Sequence, residues 1–343
     1  MSLVNVQPRT IGSLPPVGPL SFGLWRYTNP DVPTAQAVLE AALDAGMNLI
    51  DNADVYGFDW GGTGFGQVED ILGSVLTVAP ALRDRMVLAT KGGISPPTPY
   101  DSSPAYLRSA CEASLRRMNV DVIDLYQIHR PDLLSHPADV AATLTSLRDE
   151  GKIREVGVSN HTPAQTAALA AHLPFGLAAN QVEYSAVHLD PMRDGSFDDC
   201  MRADIVALAW SPLGGGRLAN GEGVRPELIA VIDCLAEREG VSRATLAIPF
   251  VLAYPRRPWR SSARRTLSAL LRARSRSTSP CHAKTSTQSS RHPRESRCPD
   301  HSVDVAAWLS PRSSGGSPCR RSACSRSRSR SRSPSRCGPA NED

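Results

Sequence analysis

No apolar run in the 343-residue sequence approaches the roughly 18–20 residues needed to cross a bilayer as a helix. The opening segment MSLVNVQPRTIG has no apolar core of the signal-peptide kind, so an export signal is not expected. None of the eight cysteines forms a C-x-x-C pair. Their spacing supports neither a zinc site nor a disulfide framework, so no metal is expected and a reducing cytoplasm is the simplest compartment. A G-x-G-x-x-G fingerprint is also missing. The glycines at 61, 62, 64 and 66 have other spacings and precede no phosphate-facing strand–helix turn, which argues against a Rossmann dinucleotide site. What the chain does have is 41% hydrophobic residues, enough for a sizeable core and too many for disorder throughout.

The net charge of +4 averages two unlike segments. Residues 256–343 contain 20 basic and 5 acidic side chains, a net of +15, and residues 1–255 contain 18 and 29, a net of −11. A basic patch for nucleic acid is therefore not expected on the body. The last 88 residues include 22 Ser and 19 Arg. Such a stretch cannot bury enough apolar surface to offset its chain entropy, and it reads as a disordered tail with short helices at most over 265–273 and 303–309. The expected organisation is a folded unit over 1–255 and a low-complexity basic tail over 256–343.

Within the body, short β-type runs alternate with amphipathic helical stretches. Strands are expected over 20–25, 47–51, 86–91, 122–129, 153–159, 177–182 and 205–210. Helices are expected over 34–45, 67–76, 102–118, 138–150, 163–171, 198–202, 226–239 and 242–253. Seven strand-then-helix units imply a parallel sheet covered by helices. Runs such as VLAT, VIDLYQI and IVALAW are apolar on both faces, as buried parallel strands are. An open doubly wound sheet and a closed (β/α)8 barrel both fit this spacing.

The polar residues favour the barrel. Successive strands end in Asp51, Lys91, His129, Ser159-Asn160, Asn180-Gln181 and Trp210-Ser211, with Tyr56 shortly after Asp51. In a (β/α)8 barrel these ends converge on one rim, where active sites lie. Their types suit carbonyl reduction, in which an oxygen gaining negative charge needs a proton. Tyrosine can supply it, but its ordinary pKa is about 10. An ammonium about 4 Å away, at an effective dielectric near 20, is worth about 4 kcal/mol, enough to lower a phenol pKa by about 3. Lys91 is the candidate ammonium, Asp51 its anchor, and His129 can orient the carbonyl or relay a proton.

These residues lie in AALDAGMNLIDNADVYG, LATKGG, DLYQIHRPD, GKIREVGVSNHTPAQ, NQVEYS and AWSPLGGGR. Together, and in this order over about 18–255, the six pieces resemble the aldo-keto reductases, the GGGR ending a bacterial subgroup of them. The resemblance implies a TIM barrel that reduces aldehydes or ketones with NADPH, or alternatively NADH. It implies a small carbonyl compound as partner and a monomer. By the same resemblance Asp51, Tyr56, Lys91 and His129 are the catalytic tetrad, with Tyr56 as general acid. Ser159, Asn160 and Gln181 hydrogen-bond the nicotinamide carboxamide, Trp210 stacks on its ring, and Ser211 and Leu213 contact the pyrophosphate. Trp25 and the loop from Phe58 to Phe65 wall the substrate pocket.

The family's eighth strand, of the type P-V-x-I-x-G-T, and the loop and helix that grip the adenosine 2′-phosphate have no counterpart here. The expectation is an incomplete barrel with impaired activity and open edges on its first and seventh strands. Residues 256–263 can be encoded so that another frame reads Ser-Pro-Val-Ala-Ile-Val-Gly-Thr, which makes the tail resemble an out-of-frame translation. Two other functions compete: nucleic-acid binding through the Arg/Ser tail, and a non-catalytic cofactor-sensing role such as that of channel-associated relatives. The tail has only Trp259 and Trp308 as aromatics, so nonspecific rather than specific nucleic-acid binding is expected of it.

Overall fold

The computed structural model describes residues 7–59, 61–98, 100–253 and 259–262. Eight parallel strands form a closed barrel in sequence order. They are β1 (Leu20–Gly23), β2 (Leu49–Asp51), β3 (Val87–Gly92), β4 (Ile123–Ile128), β5 (Ile153–Ser159), β6 (Ala179–Glu183), β7 (Val206–Trp210) and β8 (Trp259–Ser262). The connecting helices are α1 (Val32–Asp44), α2 (Gln67–Val78), α3 (Pro104–Met118), α4 (Pro137–Asp149) and α5 (Pro163–Ala170). After them come α6 (Ser196–Arg202), α7 (Arg217–Asn220), α8 (Pro226–Glu239) and α9 (Arg243–Leu252).

Local chemistry explains where these helices begin. Asp31, Ser103, Thr162 and Ser242 stand before α1, α3, α5 and α9, and each side chain accepts a hydrogen bond from a first-turn N–H. Pro sits at the start of α1, α3, α4, α5 and α8, where its missing N–H costs nothing. Thr162 and Gln165 form a reciprocal capping box. No described helix is long and apolar enough to cross a membrane.

One apolar cluster fills the space between strands and helices, and a second lies inside the barrel. The inner cluster brings Leu49, Val87, Ala89, Leu125, Ala179 and Leu208 against Ile11, Leu14 and Val17 of the N-terminal segment. That segment folds back through an antiparallel bridge between Arg9 and Val17 and closes the floor of the barrel. Glu155, buried on β5, accepts hydrogen bonds from the Ser13 backbone N–H (2.8 Å) and hydroxyl (2.6 Å) and ties the plug down.

The main departure from expectation is β8. It pairs in parallel with β1 (Ser21 with Ser261) and with β7 (Leu208 with Trp259), so neither neighbour keeps the open edge the sequence implied. Ladder bonds use backbone N–H and C=O groups, which Trp-Arg-Ser-Ser supplies as well as the family's V-x-I pattern does. The helices expected over 265–273 and 303–309, and the disorder expected of the tail, lie outside the described residues. Cys111 and Cys200 are buried free thiols.

Candidate active site

Strand register brings the strand-end residues together. Side chains alternate in and out along a strand, so inward positions share a parity that pairing carries from strand to strand. Asp51 pairs with Ala89, Ala89 with Leu125, Gly157 with Ala179 and Ala179 with Val206. Counting by twos from these pairs places Asp51, Lys91, His129, Ser159, Gln181 and Trp210 all on the inward set. Five of them line one cavity of about 470 Å³, and the sixth, Lys91, is fully buried behind its wall, 0% exposed.

Lys91 is the hub. Its Nζ donates to Asp51 Oδ1 (2.8 Å), to the Asn52 carbonyl (2.8 Å) and to Tyr56 Oη (3.1 Å). Three donors meet three acceptors, so the buried charge is fully satisfied. The loop after β2 sets this geometry: the Asp54 N–H donates to the Lys91 carbonyl (3.0 Å) and the Tyr56 N–H to the Ala53 carbonyl (3.1 Å). Gly57 then turns away with φ 100°, a conformation that favours glycine. The His129 ring stands edge-on to Tyr56 at 5.9 Å between centroids, and its N–H backbone group donates to the Gly92 carbonyl (2.8 Å).

Burial dominates the electrostatics. It pushes the Tyr56 phenol above its ordinary value; Lys91 pulls the other way without prevailing. The net depression expected from sequence is therefore not met, because the desolvation that strengthens the Lys91 attraction also disfavours phenolate. Burial also acts to lower Lys91, but Asp51 and Tyr56 hold it above its ordinary value as an ammonium. His129 is driven well below its usual range, by burial first and then by Lys91 and Arg130. It stands as a neutral imidazole able to donate one N–H.

On the other side of the cavity, Ser159 Oγ donates to the Gln181 carbonyl (2.9 Å), and Asn160 Nδ2 donates to Ser159 Oγ (2.8 Å). Trp210 Nε1 donates to Asn160 Oδ1 (3.0 Å), which fixes the indole at the cavity wall. Asn160 and Ser211 both have positive φ (57° and 50°), turning the chain sharply at the ends of β5 and β7. Ser211 and Leu213 line the cavity with Gly215 and Gly216. Trp25 and Phe58 line it as well, whereas Phe65, expected in the same wall, lies 5.8 Å from the Arg117 guanidinium instead. Sequence reasoning did not single out Arg26, Val55, Ile94 or Arg130, which also line the cavity. Arg130 directly follows His129, but that adjacency alone does not indicate that its side chain reaches the cavity.

The profile of the Aldo/keto reductase family matches residues 19–275, beyond residue 255 where the recognisable motifs stop. A 6-dehydroglucose reductase of Novosphingobium aromaticivorans is 49% identical over 242 residues, covering 70% of this chain and 79% of that protein. Oxidoreductase YdhF of Escherichia coli is 37% identical over 249 residues, covering 69% and 80%. A crystal structure of a thermostable aldo-keto reductase, Tm1743, superposes with a TM-score of 0.66 at 20% identity, covering 77% of this chain and 92% of that one. The fold is thus a (β/α)8 barrel with an oxidoreductase's relatives. The chain belongs to the aldo/keto reductase family, oxidoreductases that act on carbonyl compounds with NAD(P)H.

Proposed function

We propose that this protein reduces an aldehyde or ketone to the alcohol with NADPH, using Tyr56 as general acid. The observation that carries this reading is the Asp51–Lys91–Tyr56 chain, which ends at a cavity also lined by His129. The residues present fit a nicotinamide. Gln181, 3% exposed, faces the cavity with a side-chain amide that has no partner among the described residues, and the Trp210 indole stands beside it. Ser159, Asn160 and Gln181 would hold the carboxamide, Trp210 the ring, and Ser211 and Leu213 the pyrophosphate. When bound, the cofactor supplies the hydride.

The chain's own groups then handle the proton. Tyr56 Oη gives its proton to the carbonyl oxygen as that oxygen gains charge, and Lys91 stabilises the phenolate left behind. The raised pKa keeps the phenol protonated at neutral pH, the form a donor needs. The neutral His129 donates an N–H to the same oxygen. Trp25 and Phe58 supply apolar pocket wall.

The reaction is assigned to the cytoplasm of a bacterial cell and to a monomer, with NADPH as the family's cofactor and NADH as the alternative. The segment after β8, from 263 to 343, is read as translated out of frame. Because it lacks the family's 2′-phosphate grip, cofactor affinity and turnover are low. The +15 charge of residues 256–343 gives salt-sensitive, nonspecific binding to nucleic acid rather than a specific partner. The test compares NADPH binding by fluorescence, and aldehyde turnover, for this chain and for a version in which residues from β8 onward are replaced by the family's strand, phosphate-gripping loop and helix. Restoration should raise both, and equal turnover in the two proteins contradicts the impairment.

A further inference from the structure

Arg130 is a charged group of the cavity that the reaction above does not use. It follows His129 at the end of β4 and lines the cavity. Its guanidinium carbon lies 5.7 Å from the centroid of the Trp210 ring. Several arginines elsewhere in the fold are held by carboxylates: Arg83 by Asp124, Arg108 by Glu150, Arg117 by Glu69 and Arg243 by Asp233. Arg130 has no carboxylate partner and no hydrogen bond among the described residues. Of the two carboxylates that line the cavity, Asp51 is bound to Lys91, and Asp59 makes no ion pair with Arg130.

A guanidinium stays charged at any ordinary pH and presents planar, paired N–H donors that match two neighbouring oxygens. Holding it half-buried beside an aromatic ring, with its donors unmet, costs free energy that a ligand can recover. Trp25 and Trp210 offer flat apolar faces at the same cavity.

Building on the carbonyl-reductase reading, we propose that Arg130 is a substrate-binding residue that selects carbonyl compounds with paired oxygens near the reacting carbon. The pair is a carboxylate or two vicinal hydroxyls, and simple alkyl aldehydes of equal length are disfavoured. Arg130 grips the oxygen pair while the carbonyl oxygen meets Tyr56 and His129, the residue next to it in the chain.

The test measures kcat/KM at saturating NADPH for two matched pairs, glyceraldehyde against propanal and succinic semialdehyde against butanal, in the unaltered protein and in Arg130→Met. The substitution should cost about 10- to 100-fold on an oxygenated member, the loss expected for hydrogen bonds to a charged group. The alkyl aldehydes and the KM for NADPH should move less than about 3-fold, within ordinary surface-substitution effects. A loss confined to succinic semialdehyde identifies the carboxylate as the source, and one confined to glyceraldehyde the diol. An equal loss on all four, or a rise in KM for NADPH in its place, overturns the inference. In parallel, succinate and glycerol are titrated by tryptophan fluorescence. Binding that Arg130→Met weakens at least 10-fold upholds the oxygen site even if no aldehyde is turned over, in which case only the reductase reading fails. Binding that the substitution leaves unchanged overturns it.

Discussion

Lys91 carries a buried positive charge, and its partners are what make that charge tolerable. Its neighbour His129 resolves the same conflict differently, by staying neutral. Because the folded protein holds this imidazole well below the ordinary value of about 6.5, the unfolded chain takes up the proton first as pH falls. Stability is therefore full above that range and lost as pH drops below it, at up to about 1.4 kcal/mol per pH unit for one such group. His161, lowered chiefly by burial, adds to the same slope. His129→Gln should flatten the acid limb of a denaturation-midpoint-versus-pH curve, while a slope identical to that of the unaltered protein would show that the imidazole is not buried neutral. Asp51, Tyr56, Lys91 and His129 could be singled out from the sequence because each stands at or just after a strand end. The sign of the Tyr56 shift could not, since depth of burial is a property of the folded rim. Arg130 escaped notice for a related reason: the residue after a strand-end histidine reads as the start of an Arg-Pro turn until the cavity shows what it lines.

Strand–helix units have spacing constraints of their own, and α2 shows a tight one. Gly73 faces the end of α3 so closely that a Cβ there would lie against the Arg117 carbonyl, a backbone atom that cannot swing aside. The same pair of helices holds Glu69, fully buried, against Arg117 (2.8 Å) and against Thr90 on β3 (2.6 Å), next to Lys91. Gly73→Ala should separate the helices and cost about 1–3 kcal/mol, the usual penalty of overpacking. A melting temperature unchanged by this substitution would mean that the contact is looser than described. Helix and strand positions were readable from period and capping residues, α8 over 226–239 and β5 over 153–159 to the residue. The N-terminal plug was not, because the stretch around Ile11, Leu14 and Val17 has neither a two- nor a 3.6-residue rhythm. Its apolar residues find a use only once a barrel exists to be floored. The closing strand β8 was hidden for the opposite reason: its sequence has no strand pattern, and backbone pairing with both neighbours supplies what side chains do not signal.

Over the whole molecule, the barrel's parity collects residues from β2 to β7 at one mouth, so the proposed proton donor Tyr56, the Lys91 ammonium beside it and the proposed cofactor wall fall in one site. On the proposed reading the C-terminal segment affects how firmly the cofactor is held, whereas the proton chemistry assigned to Tyr56 does not depend on it. The two effects separate in one experiment: NADPH oxidation with an aldehyde by the full chain and by Tyr56→Phe, at NADPH concentrations raised until the rate no longer increases, with cofactor binding followed in both proteins. Slow turnover above background in the unaltered chain is expected, with a fall of about 10²- to 10⁴-fold in Tyr56→Phe, the usual contribution of a general acid, and unchanged cofactor binding. Equal rates in the two proteins would contradict the account, because a phenol that can be removed without loss is not the proton donor.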